Sequence, residues 1–292
     1  MKILYYLLEN ENFMYQWQRI HIFDELEKNG HKVIVFNIKN YLDFDQSNEA
    51  LLRFLKKENH QFDLFITGVS SNKIYRDSIS YIKENGIATL LICFDNLHAP
   101  YDQLEIAPSF DLVWLTSKET EGLFIKKGCR TVFLPYAANP FKFQPNFKSE
   151  IQNIGFIGSV YGTRSLKINK LIDSGIECSV YGTKKTSYIN TVKEKINYLD
   201  KINSFIDLAR FDIGRKVILG VLKSKLMNSD ISLNTSDPNL NQYPSVPFDK
   251  MNYLYSNHSI CLGISELRNT YLLRNPVHKL HLRTFEVPMC GG

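Results

Sequence analysis

A glycine-bearing loop after an apolar strand is the feature of this sequence best suited to binding an anion. The run from Ile154 to Arg164, IGFIGSVYGTR, predicts a strand that passes through small residues into a helix. The N–H groups at such a helix start favour a diphosphate. Gly158 and Gly162 would let the backbone approach a ligand, Ser159 belongs to the same loop, and Arg164 could add a bidentate, permanently charged contact. The spacing is not that of the Gly-x-Gly-x-x-Gly pattern, so an ordinary strand–helix turn with a surface arginine stays open.

A carboxylate close to the last residue of the chain could hold a sugar. The run from Leu282 to Gly292, LRTFEVPMCGG, predicts a short helix, and Pro288 is tolerated only near a helix start. Glu286 therefore belongs to the first turn, at the mouth of the sheet. There it could accept hydrogen bonds from two sugar hydroxyls, as acidic residues do against a ribose. A favourable interaction with the helix dipole is the structural alternative.

In the first half of the chain, the acid with the best position is Asp95. It follows a predicted strand, so it should point into a ligand cleft, where it could orient an acceptor hydroxyl or act as a base. A turn or helix cap is the alternative. His98 could do the same work, although an exposed loop histidine is more common. The aromatic run Phe13–Trp17 could stack on a sugar, but such residues more often pack in the core.

The sequence predicts chemistry without a bound metal. No Asp-x-Asp pair follows a strand of the first sheet, where metal-dependent transferases hold a divalent cation against a diphosphate. Asp43 and Asp45 have this spacing, but they lie in a polar loop before a predicted helix. Arg164 and helix dipoles would then have to stabilise a leaving diphosphate.

These residues need a scaffold, and the pattern predicts two Rossmann-like, doubly wound parallel α/β domains. Short apolar runs alternate with amphipathic helices through the first half of the chain. Prolines 135, 140 and 145 indicate an irregular crossover, so we expect an N-terminal domain at 1–143 and a nucleotide-binding domain at 144–292. Because the chain ends at a helix-terminating turn, the second domain is expected to be incomplete. Six strands are predicted in the first domain: Lys2–Leu8, Lys32–Asn37, Asp63–Thr67, Thr89–Phe94, Leu112–Leu115 and Thr131–Leu134.

Composition narrows the class of protein. Of the 292 residues, 44% are hydrophobic and 22% charged, which is typical of a globular protein, and the net charge is +5. The lysines and arginines are scattered, which argues against a nucleic-acid partner. The five cysteines are widely spaced and lack a Cys-x-x-Cys pair, which argues against zinc and a disulfide framework. With no signal-like or membrane-spanning run, we expect a cytoplasmic protein with peripheral membrane association at most.

Several of these segments together resemble one family of glycosyltransferases. The run IGFIGSVYGTR, the strand end Val180-Tyr-Gly182, and the runs SICLGIS and RTFEVPMCGG, in this order, resemble the CgeB-like (spore-maturation type) enzymes of the GT-B retaining class. RTFEVPMCGG is the most specific piece. In the first half, the resemblance rests mainly on Phe94-Asp-Asn96 and on the run FDLVWLT from Phe110 to Thr116.

The resemblance implies a nucleotide-sugar donor bound mainly by the second domain, an acceptor held by the first, and reaction in the cleft between them. Glu286 aligns with the second glutamate of the Glu-x7-Glu pattern of retaining GT-B enzymes, which is implied to bind the donor ribose. The first glutamate would fall at His278, a departure that weakens any inference about how the donor sugar is held. The family also continues with further strands and helices.

The resulting hypothesis is metal-independent transfer of a sugar from a nucleotide diphosphate to a glycan, lipid-linked or protein acceptor, with no cofactor besides the donor substrate. A GT-B-fold nucleotide-sugar epimerase and a non-catalytic nucleotide- or sugar-binding module are the alternatives. Asp95 is predicted to serve the acceptor side as the catalytic acid or base. The predicted donor-binding residues are Gly158, Ser159, Gly162, Arg164, Gly182, Arg283 and Glu286.

Overall fold

The chain forms two compact units, which we call unit 1 (Met1–Pro135) and unit 2 (Tyr136–Gly292). The computed structural model describes residues 1–8, 13–59, 61–97, 101–146, 150–184, 205–206, 208–227 and 231–292. The units divide at Pro135, the first of the prolines in the predicted crossover, whereas the sequence placed the boundary at residue 143. His98 lies outside the described residues. Two helices and a short run from Asp230 to Asn234 are predicted from sequence in the polar stretch between Thr183 and about Pro244. The structure has the helix Asp212–Leu226 in this stretch, and residues 185–204 lie outside the described residues.

The described residues of unit 1 form a sheet of six parallel strands in the order β2-β1-β3-β4-β5-β6. All six predicted strands are confirmed, because their apolar side chains are buried between helices on the two faces of the sheet. The strands are β1 (Lys2–Leu7), β2 (Lys32–Asn37), β3 (Leu64–Thr67), β4 (Ala88–Cys93), β5 (Leu112–Leu115) and β6 (Thr131–Phe133). The helices are α1 (Phe13–Gln18), α2 (Asp24–Lys28), α3 (Phe44–Lys57), α4 (Arg76–Glu84), α5 (Tyr101–Leu104) and α6 (Glu121–Lys126).

The described residues of unit 2 form a second parallel sheet, of four strands in the order β10-β7-β8-β9. Its core forms where β7 and β8 pack against α7, with Phe156, Ile168, Ile172 and Val180 almost fully buried. The strands are β7 (Ile151–Ile157), β8 (Cys178–Lys184), β9 (Leu240–Pro244) and β10 (His258–Cys261). The helices are α7 (Thr163–Asp173), α8 (Asp212–Leu226), α9 (Phe248–Asn257) and α10 (Arg283–Met289).

A buried histidine fixes β10 beside β7. The Nδ1 atom of His258 lies 2.8 Å from Asn153 Oδ1, and its Nε2 atom lies 3.0 Å from the Tyr181 hydroxyl. The imidazole occupies the space above Gly155, where an added Cβ would approach the ring to 2.6 Å. A glycine within β7 therefore makes room for the side chain that joins three strands of the sheet.

The strand β9 was missed in the sequence. Its residues Leu-Asn-Gln-Tyr-Pro are mostly polar, and among them only Leu240 is buried. An edge strand has one solvent-facing side, so it tolerates polar residues and a terminal proline such as Pro244. The run expected from Asp230 to Asn234 is wrong as regular structure: its described residues, from Ile231 onwards, form neither helix nor strand.

The predicted fold class is thus confirmed as α/β, with two Rossmann-like parallel sheets. In the described residues, no helix is both long and apolar enough to cross a membrane.

Candidate functional site

The strand order of unit 2 changes direction between β7 and β10, which is the place where a ligand is expected. The chain leaves β7 towards β8 and β9 on one side of the sheet and later adds β10 on the other side. In open α/β sheets, ligands bind outside the carboxyl ends of the strands at this change of direction. The Gly158 loop follows β7, and the segment from Leu262 to Glu266 follows β10. Both segments therefore begin at the edge of the sheet where a ligand is expected.

Two predicted site glycines lie against each other at this edge. The Gly158 N–H donates to the Tyr181 carbonyl over 2.8 Å. A Cβ added at Gly182 would stand 2.9 Å from the Gly158 carbonyl oxygen, and both glycines have positive φ, 141° at Gly158 and 117° at Gly182. Gly182 excludes other residues because its backbone meets the backbone of Gly158, and both positions disfavour them because such φ values strain L-residues.

Arg283 joins the C-terminal segment to this loop. Its Nη1 atom donates to the Ile157 carbonyl over 2.6 Å, and its guanidinium lies 5.1 Å from the centre of the Phe156 ring. The same Nη1 atom fills the space above Gly158, where an added Cβ would stand 2.2 Å away. The two segments that the sequence singled out, 154–164 and 282–292, therefore meet.

Arg164 points inward and not out to solvent. It is 5% exposed, its Nη1 atom donates to the Ser159 carbonyl over 2.7 Å, and its guanidinium stacks 4.3 Å from the Tyr161 ring centre. Burial, followed by the positive charge of Arg283, lowers the pKa of Arg164 to about 10. Two guanidinium groups close enough to repel each other favour a dianionic ligand between them. Gly162, with a φ of 55°, provides the turn into α7.

Glu286 lies in the first turn of α10, as predicted, and its side chain is fully buried, with 0% exposure. Burial raises the pKa of Glu286 to about 7, although the Arg283 charge and the Tyr255 hydroxyl lower it. Both carboxyl oxygens, the Tyr255 hydroxyl and Arg283 Nε lack hydrogen-bond partners within the described residues. Tyr255 thus influences Glu286 without reaching hydrogen-bond geometry. Buried polar atoms are rarely left unpaired, so this cluster is suited to a polar ligand.

The sequence did not single out a second buried acid, Glu266, which follows β10. It is 8% exposed, forms an ion pair with Lys167 of α7, and lies opposite His278 in an isolated antiparallel bridge. The Lys167 interaction overcomes the effect of burial and holds the pKa of Glu266 below its ordinary value. Its position just past a strand end was visible in the sequence, but the bridge to His278 was not.

In unit 1, Asp95 is exposed and its backbone has a φ of 56°, which aspartate tolerates better than most residues. Its neighbour Asn96 is buried: its side-chain amide donates to the Ser117 carbonyl over 2.8 Å and accepts from the Thr116 and Ser117 N–H groups. Asn96 therefore joins the turn after β4 to the segment after β5, and Asp95 is exposed in that turn.

A cavity of about 250 Å³ opens where β1 and β3 end, at the change of direction in the first sheet. Phe94 forms part of its wall, and its charged residues are Lys73 and Asp102. Desolvation raises the pKa of Asp102 more than the charge of Lys73 lowers it. Asp95 is not among the lining residues, so Asp102 is a second carboxylate for a ligand in unit 1.

Other residues that the sequence offered as candidates for metal or sugar binding have structural roles. Asp43 caps α3 by accepting from the Gln46 N–H over 2.8 Å, and Asp45 accepts from the Tyr75 hydroxyl. Trp17, at 3% exposure, stacks on His21 in the core, as favoured for that aromatic run. Among the described residues, no three His, Cys, Asp or Glu side chains lie together as a metal site.

No protein-family model and no curated protein matches this sequence. Among solved structures, a glycosyltransferase from Rickettsia africae ESF-5 is similar at 14% identity, with a TM-score of 0.48 over 89% of this chain and 72% of that one. A LacI family transcriptional regulator from Silicibacter pomeroyi is similar at 12% identity, with a TM-score of 0.33 over 92% of this chain and 98% of that one. At these scores neither likeness bears on function.

Proposed function

We propose that this protein is a glycosyltransferase that takes a sugar from a nucleoside diphosphate donor, with the donor held by unit 2. The observation that supports this most is the group of buried, unpaired polar atoms on Glu286, Tyr255 and Arg283, next to the glycine loop after β7. A ligand with hydroxyl groups and a diphosphate would satisfy both parts of this site.

In the proposal, the diphosphate occupies the loop after β7. Gly158, Ser159, Gly162 and Gly182 provide close approach of the backbone, and Arg164 supplies positive charge. Arg283 would exchange its contact with the Ile157 carbonyl for a phosphate oxygen, a stronger partner because it is charged. The leaving diphosphate is thereby stabilised by protein groups without a metal ion.

Glu286 is proposed to accept hydrogen bonds from the ribose hydroxyls. Because Glu286 is fully buried, a ribose reaches it only when a side chain that covers it moves, and we propose that Arg283 is this side chain. The resemblance to CgeB-like enzymes supports the same role for Glu286, and it extends the proposal to a GT-B enzyme that acts on a glycan, lipid-linked or protein acceptor.

The acceptor is proposed to bind unit 1. Asp95 and Asp102 are the proposed carboxylates to receive the proton of an acceptor hydroxyl as the sugar is transferred. They are separated by measuring sugar transfer and nucleotide affinity for Asp95→Asn and Asp102→Asn. The carboxylate on the acceptor side is the one whose loss lowers turnover while nucleotide affinity stays unchanged.

The donor site is tested by calorimetric titration of UDP, GDP and dTDP. The unsubstituted protein is expected to bind at least one of them, and Glu286→Ala to bind that nucleotide roughly tenfold more weakly, because a hydrogen bond to a charged group contributes about 1.5–3 kcal/mol. Glu177→Ala is the matched control, since Glu177 precedes β8 and so lies at the amino ends of the strands, away from the carboxyl ends where the ligand is expected. Equal affinity in Glu286→Ala and the unsubstituted protein would remove Glu286 from the site.

The alternatives give different results in a product assay. An epimerase would convert a nucleotide sugar in the absence of an acceptor. A binding module would retain the nucleotide and show no turnover with any acceptor, an outcome made relevant by the histidine at position 278.

A further inference from the structure

We propose that Glu266, oriented by Lys167, accepts a hydrogen bond from a hydroxyl group of the donor's sugar. This hydroxyl is one that lies close to the diphosphate. This inference rests on the proposed nucleotide-sugar function, and it names the residue that distinguishes a nucleotide sugar from a nucleotide. The sequence and its family resemblance give Glu266 no role.

The first observation is the local pairing of Glu266 with His278. The Leu267 N–H donates to the Val277 carbonyl over 2.8 Å, and the Lys279 N–H donates to the Ser265 carbonyl over 2.8 Å. These two hydrogen bonds flank Glu266 and His278, which makes them a non-hydrogen-bonded antiparallel pair. Side chains of such a pair project from the same face and lie close together. The carboxylate of Glu266 therefore lies beside His278, the position at which the Glu-x7-Glu pattern has its first glutamate.

The second observation is the unused hydrogen-bonding capacity of that carboxylate. One oxygen, Oε1, accepts from Lys167 Nζ. The other, Oε2, is buried and has no hydrogen-bond partner among the described residues. A carboxylate can accept about four hydrogen bonds, so Glu266 has capacity for a donor from a ligand. A neutral hydroxyl satisfies Oε2 without a further buried charge.

The third observation is the position of Glu266 relative to Arg164, which follows the loop proposed to bind the diphosphate. Lys167 and Arg164 are three residues apart on α7, so their side chains are neighbours on one face of the helix. The negative charge of Glu266 raises the pKa of Arg164, although burial and Arg283 lower it more. Glu266 follows β10 and Arg164 follows β7, the neighbouring strands between which the sheet changes direction. A sugar joined to a phosphate at Arg164 would therefore come within reach of Glu266.

The test compares nucleotides with their sugar conjugates in one titration series. UDP, GDP and dTDP are measured beside UDP-glucose, GDP-mannose and dTDP-glucose, on the unsubstituted protein, Glu266→Gln and the control Glu177→Gln. Glu266→Gln is expected to weaken binding of the nucleotide sugar about tenfold, because a charge-assisted hydrogen bond becomes a neutral one. Binding of the free nucleotide is expected to stay unchanged. Lys167→Gln, which keeps the carboxylate, is expected to give a smaller loss of the same selectivity.

If Glu266 has only a structural role, the binding losses follow a different pattern. Equal losses for the nucleotide and its sugar conjugate, or no loss for either, would overturn the role of Glu266 and leave the nucleotide site intact. Failure of the unsubstituted protein to bind any of the six compounds would overturn the role of Glu266 together with the proposed function. If Glu266→Gln does not fold, Lys167→Gln decides, and unchanged selectivity in that variant counts against the proposal.

Discussion

Glu286→Gln is expected to stabilise the protein by about 3 kcal/mol at about pH 8 and to leave its stability unchanged at about pH 4.5. Burial raises the pKa of Glu286 to about 7 from its ordinary value of 4.5. Between these values the folded state binds more protons than the unfolded chain. The contribution of Glu286 is therefore fully present below about 4.5, falls as the pH rises, and is lost above about 7. Glutamine has no such charge to bury.

Denaturant unfolding at both pH values measures this difference. Far-UV circular dichroism follows both units, whereas tryptophan fluorescence follows unit 1 alone, because Trp17 and Trp114 both lie there. The stabilisation is expected in the unfolding of unit 2, which circular dichroism detects and tryptophan fluorescence does not. Glu177→Gln, at an exposed position of the same unit, controls for the loss of a carboxylate. A gain in stability of equal size at both pH values would contradict a charge effect at Glu286.

The same variant bears on function. A buried carboxylate that lowers stability at neutral pH persists in a protein when another role requires it, since stability and activity often oppose each other at binding sites. We therefore expect Glu286→Gln to be more stable and to bind a nucleotide more weakly. A variant that is more stable and binds equally well would mean that the buried acid has no part in nucleotide binding.

Gly158→Ala is expected to destabilise unit 2 by roughly 2–4 kcal/mol and to weaken nucleotide binding at least as much as the loss of Glu286. Two effects combine here. A φ of 141° is strained for alanine, and its Cβ would come within 2.2 Å of Arg283 Nη1. The guanidinium must leave the Ile157 carbonyl, and the methyl group would occupy the space where a phosphate approaches the loop.

Gly175→Ala separates these effects, because Gly175 has a φ of 79° and no atom within 4 Å of an added Cβ. It should show the conformational cost alone, about 1 kcal/mol, with unchanged nucleotide affinity. Thermal unfolding and calorimetric titration of both variants give the comparison. If the two substitutions lower stability equally and neither changes nucleotide affinity, the contact between Gly158 and Arg283 has no part in nucleotide binding.

Much of unit 1 could be predicted from sequence because its signals are local. The strand Leu112–Leu115 was predicted with both ends correct, and Lys32–Asn37 likewise. Buried parallel strands carry continuous apolar runs, and glycines such as Gly30 and Gly86 mark helix ends through their positive φ. Edge strands lack this pattern, which is why β9 was missed.

The sequence by itself determined which segments carry the candidate site. The glycines at 158, 162 and 182 could be recognised because only glycine suits such backbone positions, and Arg283 and Glu286 because they stand in a distinctive short run. Only the tertiary structure decided that Arg283 reaches the loop after β7, that Glu286 is buried beside Tyr255, and that Glu266 lies next to His278. These relations depend on contacts between residues far apart in the chain, whereas a sequence pattern reports only on neighbours along it.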